Sequence, residues 1–326
     1  MIAGVLKETY PGESRVALVP AHIGSLKKKG FEVYVESGAG LDAGFTDAMY
    51  EAEGASIKGR KEVLSKSDVL LQVRALGTNS SSDKEDAGNL KNGAIVIAVM
   101  DSLTNKGPVE TLASCGAKSF ALELVPRISR AQSMDVLSSQ ANIAGYKAAL
   151  IAADSLPKMF PMMMTAAGTI TPASVLVVGA GVAGLQAIAT CNRLGAVVSA
   201  YDIRPAVKEQ VMSLGAKFDE LELETAEAED KGGYAKAMDE EFYKKQRELL
   251  AKVVAETDAV ITTAAVPGKK APILITGDMV AGMKPGSVVV DLAAETGGNC
   301  ELTEAGQTTE KNGVKIIGPV NIPSSV

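Results

Sequence analysis

The chain predicts an α/β protein made of two tandem domains with parallel sheets. Three observations lead there. Its 326 residues suffice for roughly two domains of about 150 residues each. Short β-branched runs alternate with helical segments, a pattern that calls for parallel strands covered on both faces. Glycine occupies 32 positions, above its usual share of about 7%, which hints at many tight strand-to-helix turns.

The first strand series reads 2–6, 32–36, 69–73, 94–99 and 118–122; the second reads 175–178, 197–201, 258–263, 287–291 and 314–317. Helices are expected between them. In 239–256, Phe242, Leu249, Leu250, Val253 and Val254 fall on one stripe of a 3.6-residue period. Residues 20–29 are expected as an early helix carrying His22, the chain's one histidine and a structural rather than catalytic residue on this reading. A long helix is expected over 136–153, broken at Pro157, with 160–172 irregular. This places a first domain at 1–144 and a second at 145–318. Met162–Met164 reads as adaptable packing at the hinge, or as the lining of a cofactor cleft. The acidic stretch 219–230, followed by Gly232, Gly233 and Tyr234, predicts a mobile surface connector, or a lid whose Tyr234 closes over a ligand. Residues 318–326 close on no helix and are expected to be truncated or only partly ordered.

Composition narrows the function classes. A net charge of −6 argues against wrapping nucleic-acid phosphates. Cys115, Cys191 and Cys300 are widely spaced and odd in number, which argues against a disulfide framework or a zinc site and for a reducing compartment. The start reads directly as a strand, and no apolar run reaches the roughly 18 residues of a membrane span, so a soluble chain without membrane insertion is expected.

The sharpest motif follows the strand at 174–178. Gly179, Gly181 and Gly184 form a GxGxxG that opens the helix at Val182. The first glycine permits the tight turn, the second lets backbone approach a pyrophosphate, and the third lets helix pack on strand; the helix N-terminus adds N–H donors. The next strand ends at Asp202, 18 residues beyond Gly184 and near the spacing of a ribose-binding carboxylate. This is the fingerprint of a Rossmann-like dinucleotide site. A carboxylate there accepts ribose hydroxyls and repels a 2′-phosphate, which favours NAD(H) over NADP(H), although Arg204 is of the type that hosts such a phosphate.

A second polar cluster lies in 123–139, ELVPRISRAQSMDVLSS. Arg127 and Asp135 form either an ordinary surface ion pair with helix capping, or a donor and acceptor for a nicotinamide carboxamide. Gln132 carries both kinds of group and Ser138 adds a hydroxyl.

PRISRAQSMDVLSSQ, PMMMTAAGT, GAGVAGLQAIATCNRLGA, GGYAKAM, ITTAAVPGKKAPILIT and VVDLAAETGGNC resemble the NAD(H)-binding component of proton-translocating transhydrogenases, a family that shares its fold with alanine dehydrogenase. The resemblance implies NAD(H) in an interdomain cleft and a homodimer. It also implies docking on an NADP(H)-binding component and a membrane-spanning component, with direct hydride transfer coupled to proton translocation and no metal. It puts Gln132, Arg127 and Asp135 at the reacting ring, with Ile128, Ser129, Arg130, Ser133, Met134 and Ser138 as further cofactor contacts. Val182, Asp202, Ile203, Arg204, Gly233, Tyr234, Gln246 and Ala265 complete the set. It further implies that a C-terminal segment from about 319 onward completes the first domain, and that the chain works on the cytoplasmic face of a bacterial inner membrane or the mitochondrial matrix side.

Two other functions fit less well. An alanine dehydrogenase-like enzyme would use Arg15, but Arg74 stands at its lysine position and no histidine follows the strand at 94–99. An NADH-sensing module would use the acidic connector as a ligand-ordered loop.

Overall fold

In the computed structural model, residues 1–78, 83–220, 240–266 and 268–326 are described. The chain forms two compact units, Met1–Val136 with Ser325 and Leu137–Ser324 with Val326.

The first unit is a six-stranded parallel sheet in the order β3-β2-β1-β4-β5-β6. Its strands are β1 Ile2–Val5, β2 Glu32–Glu36, β3 Ser56–Lys58, β4 Val69–Arg74, β5 Ile95–Val99 and β6 Lys118–Ala121. The short helices α1 Ile23–Lys28, α2 Asp47–Ala52, α3 Arg60–Lys66, α4 Asp83–Asn89 and α5 Gly107–Ser114 connect them. Two apolar clusters cover the sheet, one around Val5, Ile23, Val35 and Tyr50 and the other around Leu6, Leu64, Leu70, Val96 and Leu112. This is what continuous apolar strands require when both faces are buried. The expected helix at 20–29 divides into a 3₁₀ turn at Pro20–His22 and α1, because Pro20 opens the segment without an N–H to donate.

The second unit starts in the long helix α6, Val136–Ser155, and builds a seven-stranded sheet. Ahead of that sheet, β7 Met163–Thr165 and β8 Gly168–Ile170 pair antiparallel, Met163 facing Ile170. The segment read as irregular is therefore a hairpin. Met162, Met163 and Met164 are 57%, 37% and 75% exposed, so they are not buried packing. The hairpin joins neither main sheet, and all six of its strand residues stay outside the core of their own unit.

The main sheet contains β9 Ser174–Val178, β10 Val197–Tyr201, β11 Lys217–Phe218, β12 Ala259–Thr262, β13 Val288–Asp291, β14 Thr308–Lys311 and β15 Val314–Ile317. Its order is β11-β10-β9-β12-β13-β15-β14, all parallel except for the β14–β15 pair. The antiparallel edge departs from the purely parallel expectation; Asn312 and Gly313, both at positive φ, make the two-residue turn that folds β14 back on β15. Helices α7 Val182–Arg193, α8 Lys208–Ser213, α9 Glu240–Glu256 and α10 Gly277–Ala281 pack on its faces. The last residues, expected to form no helix, close in a 3₁₀ turn at Ile322–Ser325 with Pro323 in its opening positions. Order reverses at β9, whose neighbours are β10 and β12. The carboxyl ends of strands at such a reversal are where open α/β sheets bind ligands.

No helix among the described residues is long and apolar enough to cross a membrane. Nor do they contain a group of three or more His, Cys, Asp or Glu side chains placed to hold a metal ion.

Candidate functional site

The glycine turn sits on the crest of β9. Gly179 has φ +102, a left-handed value that costs glycine little, and its N–H donates to the Tyr201 carbonyl at 2.8 Å. Gly181 caps α7 in extended conformation. Gly184 lies where α7 touches the strand end: a Cβ there would stand 1.8 Å from the Gly179 carbonyl oxygen. At Gly181 a Cβ would meet nothing within 4 Å. The third glycine is thus required by the protein's own packing, and the second leaves open space beside the helix N-terminus for a phosphate.

Asp202 ends β10 beside this turn with its side chain 5% exposed. Its Oδ2 accepts the Ala180 N–H at 2.7 Å and the Arg204 Nη2 at 2.8 Å. Its Oδ1 accepts the Arg204 N–H and Nε, both at 2.9 Å. The ribose acid is therefore gripped in fork geometry by the arginine two residues on. Ile203 packs against the core below.

Gln246 is 1% exposed, on the inner face of α9. Its Nε2 donates to the Tyr201 hydroxyl at 2.9 Å, and its buried Oε1 has no partner among the described residues. Burial pushes the Tyr201 phenol up to about 12, so it stays neutral there. Ala265 is exposed beyond β12. Gly233 and Tyr234 lie outside the described residues, as does most of the acidic stretch; Asp219, at its start, is buried with Lys217 Nζ 2.7 Å away.

In the first unit, Ser129–Met134 forms a 3₁₀ helix anchored by the buried Ala131. Around that anchor Arg127, Ile128, Ser129, Arg130, Gln132, Ser133 and Met134 are exposed. Arg127 Nε and Asp135 Oδ2 lie 3.7 Å apart, within ion-pair range, so the loop's donor and acceptor are held side by side. Ser138 follows in the first turn of α6, half-buried.

The first unit also gathers an ionic cluster that sequence reasoning found only in part. Arg15 is held by Glu13 through Nε and Nη2, each at 2.7 Å. Arg74 Nη1 meets Asp101 at 3.0 Å, its Nε lies 3.8 Å from Glu13, and its guanidinium covers the Tyr10 ring at 4.6 Å. Glu13 is 8% exposed. Glu8 accepts the Val73 and Arg74 N–H groups at 2.6 and 3.1 Å. The acids in GVLKETYPGESR were the available signal, but nothing local says that they turn inward. Burial pushes the Glu8 carboxyl up to about 7 despite those two N–H donors, which favour the charged form. Between its ordinary 4.5 and about 7 the unfolded chain is ionised at this residue while the folded chain keeps the proton, so the stability from this group falls as pH rises through that window and is flat above it. Glu8→Gln holds the neutral form. Its stability relative to wild type should therefore rise by about 2 kcal/mol across the window, at about 1.4 kcal/mol per pKa unit with a discount for solvent. Thermal melts at a series of pH values measure this; a difference independent of pH would refute it.

Fold and crest together define a two-unit α/β protein of the doubly wound type, with a strand–GxGxxG–helix turn and a carboxylate on the neighbouring strand. Residues 4–144 match the family described as alanine dehydrogenase/PNT, N-terminal domain, and residues 148–326 match its C-terminal domain. The chain belongs to that family. It is 52% identical over its whole length to the first portion of NAD(P) transhydrogenase subunit alpha of Rhodospirillum rubrum, covering 85% of that protein. It is 31% identical to alanine dehydrogenase of Mycobacterium tuberculosis over 91% of this chain and 74% of that one. The solved transhydrogenase of Sinorhizobium meliloti superposes with a TM-score of 0.88 at 48% identity, over 100% of this chain and 87% of that one.

Proposed function

We propose that this chain is the NAD(H)-binding component of a proton-translocating transhydrogenase. It passes hydride from NADH to NADP⁺ held on a partner component, and a membrane-spanning component couples the transfer to proton movement. The relatives named NAD(P) transhydrogenase at about half identity carry this reading, and the glycine turn with Asp202 supports it.

NADH supplies the hydride. Gly179, Gly181 and the start of α7 receive the pyrophosphate, Asp202 takes the adenosine ribose, and Arg127, Gln132, Asp135 and Ser138 orient the nicotinamide. Oxidising an alcohol or amine requires a base to take a proton as hydride leaves. Ring-to-ring transfer does not, so the protein need only set approach and orientation. The first unit agrees with that economy: Glu13 already occupies the guanidinium of Arg15, which an amino-acid dehydrogenase would turn to its substrate's carboxylate.

The homodimer belongs to the same proposal. An isolated two-stranded hairpin is marginal in water, and β7–β8, with Met164 and Ile170 outward, is suited to a second copy; sedimentation should give the mass of two chains. The working place is the cytoplasmic face of a bacterial membrane or the matrix side of a mitochondrial one.

The test is reconstitution. The chain is mixed with an NADP(H)-binding component, and NADH-dependent reduction of an acetylpyridine or thio analogue is followed. Absence of turnover with an active partner would rule the proposal out. Gln132→Asn should slow hydride transfer far more than it weakens NADH binding, since it shortens a group assigned to orientation. Equal losses in both would make Gln132 a binding residue only.

A further inference from the structure

Asn299 is fully buried, with the whole of its side-chain amide in use. Oδ1 accepts the Ala264 N–H at 2.9 Å, while Nδ2 donates to the Ala264 carbonyl at 2.8 Å and to the Pro272 carbonyl at 2.9 Å. A flipped amide would set its oxygen against two carbonyls, so this orientation is the one the surroundings allow. The Asn299 carbonyl accepts the Leu274 and Ile275 N–H groups at 2.8 and 3.0 Å. One residue therefore fastens Ala264, just past β12, to the 272–275 segment.

Asn299 is itself fixed. Its N–H donates at 2.7 Å to Asp291, a fully buried carboxylate at the end of β13 that also accepts from Cys300 N, Ala293 N and the Thr262 and Thr303 hydroxyls. At the other end the clamp abuts the glycine turn. The Thr263 hydroxyl donates to the Gly179 carbonyl at 2.9 Å, and a Cβ on Gly179 would lie 3.2 Å from the Ala264 nitrogen. The chain Asp291–Asn299–Ala264 thus sets the backbone against which Gly179 turns.

We infer that Asn299 is a positioning residue that fixes the Thr263–Ala264 backbone against the glycine turn before any dinucleotide arrives. Its amide touches no ligand on this reading; it acts through Ala264. The inference rests on the dinucleotide reading above. A buried polar network whose members are all satisfied holds one geometry firmly, and a partly satisfied one does not.

The experiment compares Asn299→Ala with Val314→Ala, a substitution in β15 at a fully buried core position. NADH titrations are run at temperatures where the two variants sit equally far below their own melting points. Asn299→Ala should raise the NADH Kd about tenfold, the scale of one lost buried hydrogen-bond set, while Val314→Ala should stay within about twofold of wild type. In the reconstituted assay the loss should appear in KM for NADH and not in kcat. If wild type binds no NADH, the underlying reading falls. If wild type binds and Asn299→Ala binds equally well, or no worse than Val314→Ala, this inference alone falls. Amide hydrogen exchange on the wild-type chain decides the matter even if Asn299→Ala does not fold. Ala264 should be protected without NADH as strongly as the residues of β12. Rapid exchange that slows only when NADH is added would overturn a preformed clamp.

Discussion

Gly184→Ala is expected to abolish NADH binding and to destabilise the second unit together. The added methyl would stand 1.8 Å from the Gly179 carbonyl oxygen and 2.8 Å from its carbon. Both are backbone atoms of the turn, so no side chain can swing aside and α7 must lift from β9. Overpacking of this kind costs roughly 1–3 kcal/mol and sometimes more, and about 2–4 °C of melting temperature accompanies each kcal/mol in a unit of this size. Lifting α7 also moves its N–H groups away from the phosphates. Gly181→Ala is the informative contrast. Its methyl meets nothing and its φ is an ordinary −76, so stability should stay within about 0.5 kcal/mol. NADH binding should still weaken by about tenfold or more, because the methyl occupies the approach of the pyrophosphate. Melting curves and NADH fluorescence titrations on both variants separate the two roles. If Gly181→Ala bound NADH like wild type, the phosphate would not pass there.

The second large effect is a change of cofactor preference at Asp202. In wild type the carboxylate and Arg204 neutralise one another through two side-chain hydrogen bonds. Asp202→Asn keeps an acceptor for the Ala180 N–H and removes the charge. NADH loses a charged acceptor for its ribose, worth about 1.5–3 kcal/mol, or roughly 10–100-fold in Kd. NADPH meets no repelling carboxylate and finds the Arg204 guanidinium released for its 2′-phosphate. The ratio of NADPH to NADH affinity should therefore swing toward NADPH by about two orders of magnitude, as the two effects multiply. Competitive titration of the two nucleotides reads the ratio directly. An unchanged ratio would mean that the pair is only structural, and a wild-type chain that prefers NADPH would reverse the cofactor assignment.

Much of this was legible in the residues. Alternating β-branched and helical runs announced two parallel sheets, because strands buried on both faces must be apolar throughout. Val175–Val178 and Val197–Tyr201 are such cases, and their ends were readable to within a residue. GAGVAG was legible for a related reason: strand, turn and helix are consecutive in the chain, and each glycine answers a steric demand set by near neighbours. The hairpin at β7–β8 was not, since its strands are three residues long and its methionines carry no alternation. The short β3 and β11 were too brief to leave a pattern at all.

Fold class, glycine turn and the acid placed to meet a ribose follow from local spacing and periodic burial, and both can be read along the chain. The partners those groups take cannot. Packing in three dimensions closed Arg204 on Asp202, set Glu13 against Arg15, turned Gln246 inward onto Tyr201 and drew Asn299 across 35 positions of chain to Ala264. A hydrogen bond between distant segments depends on where the sheet brings their ends, and no period or motif in either segment encodes that meeting.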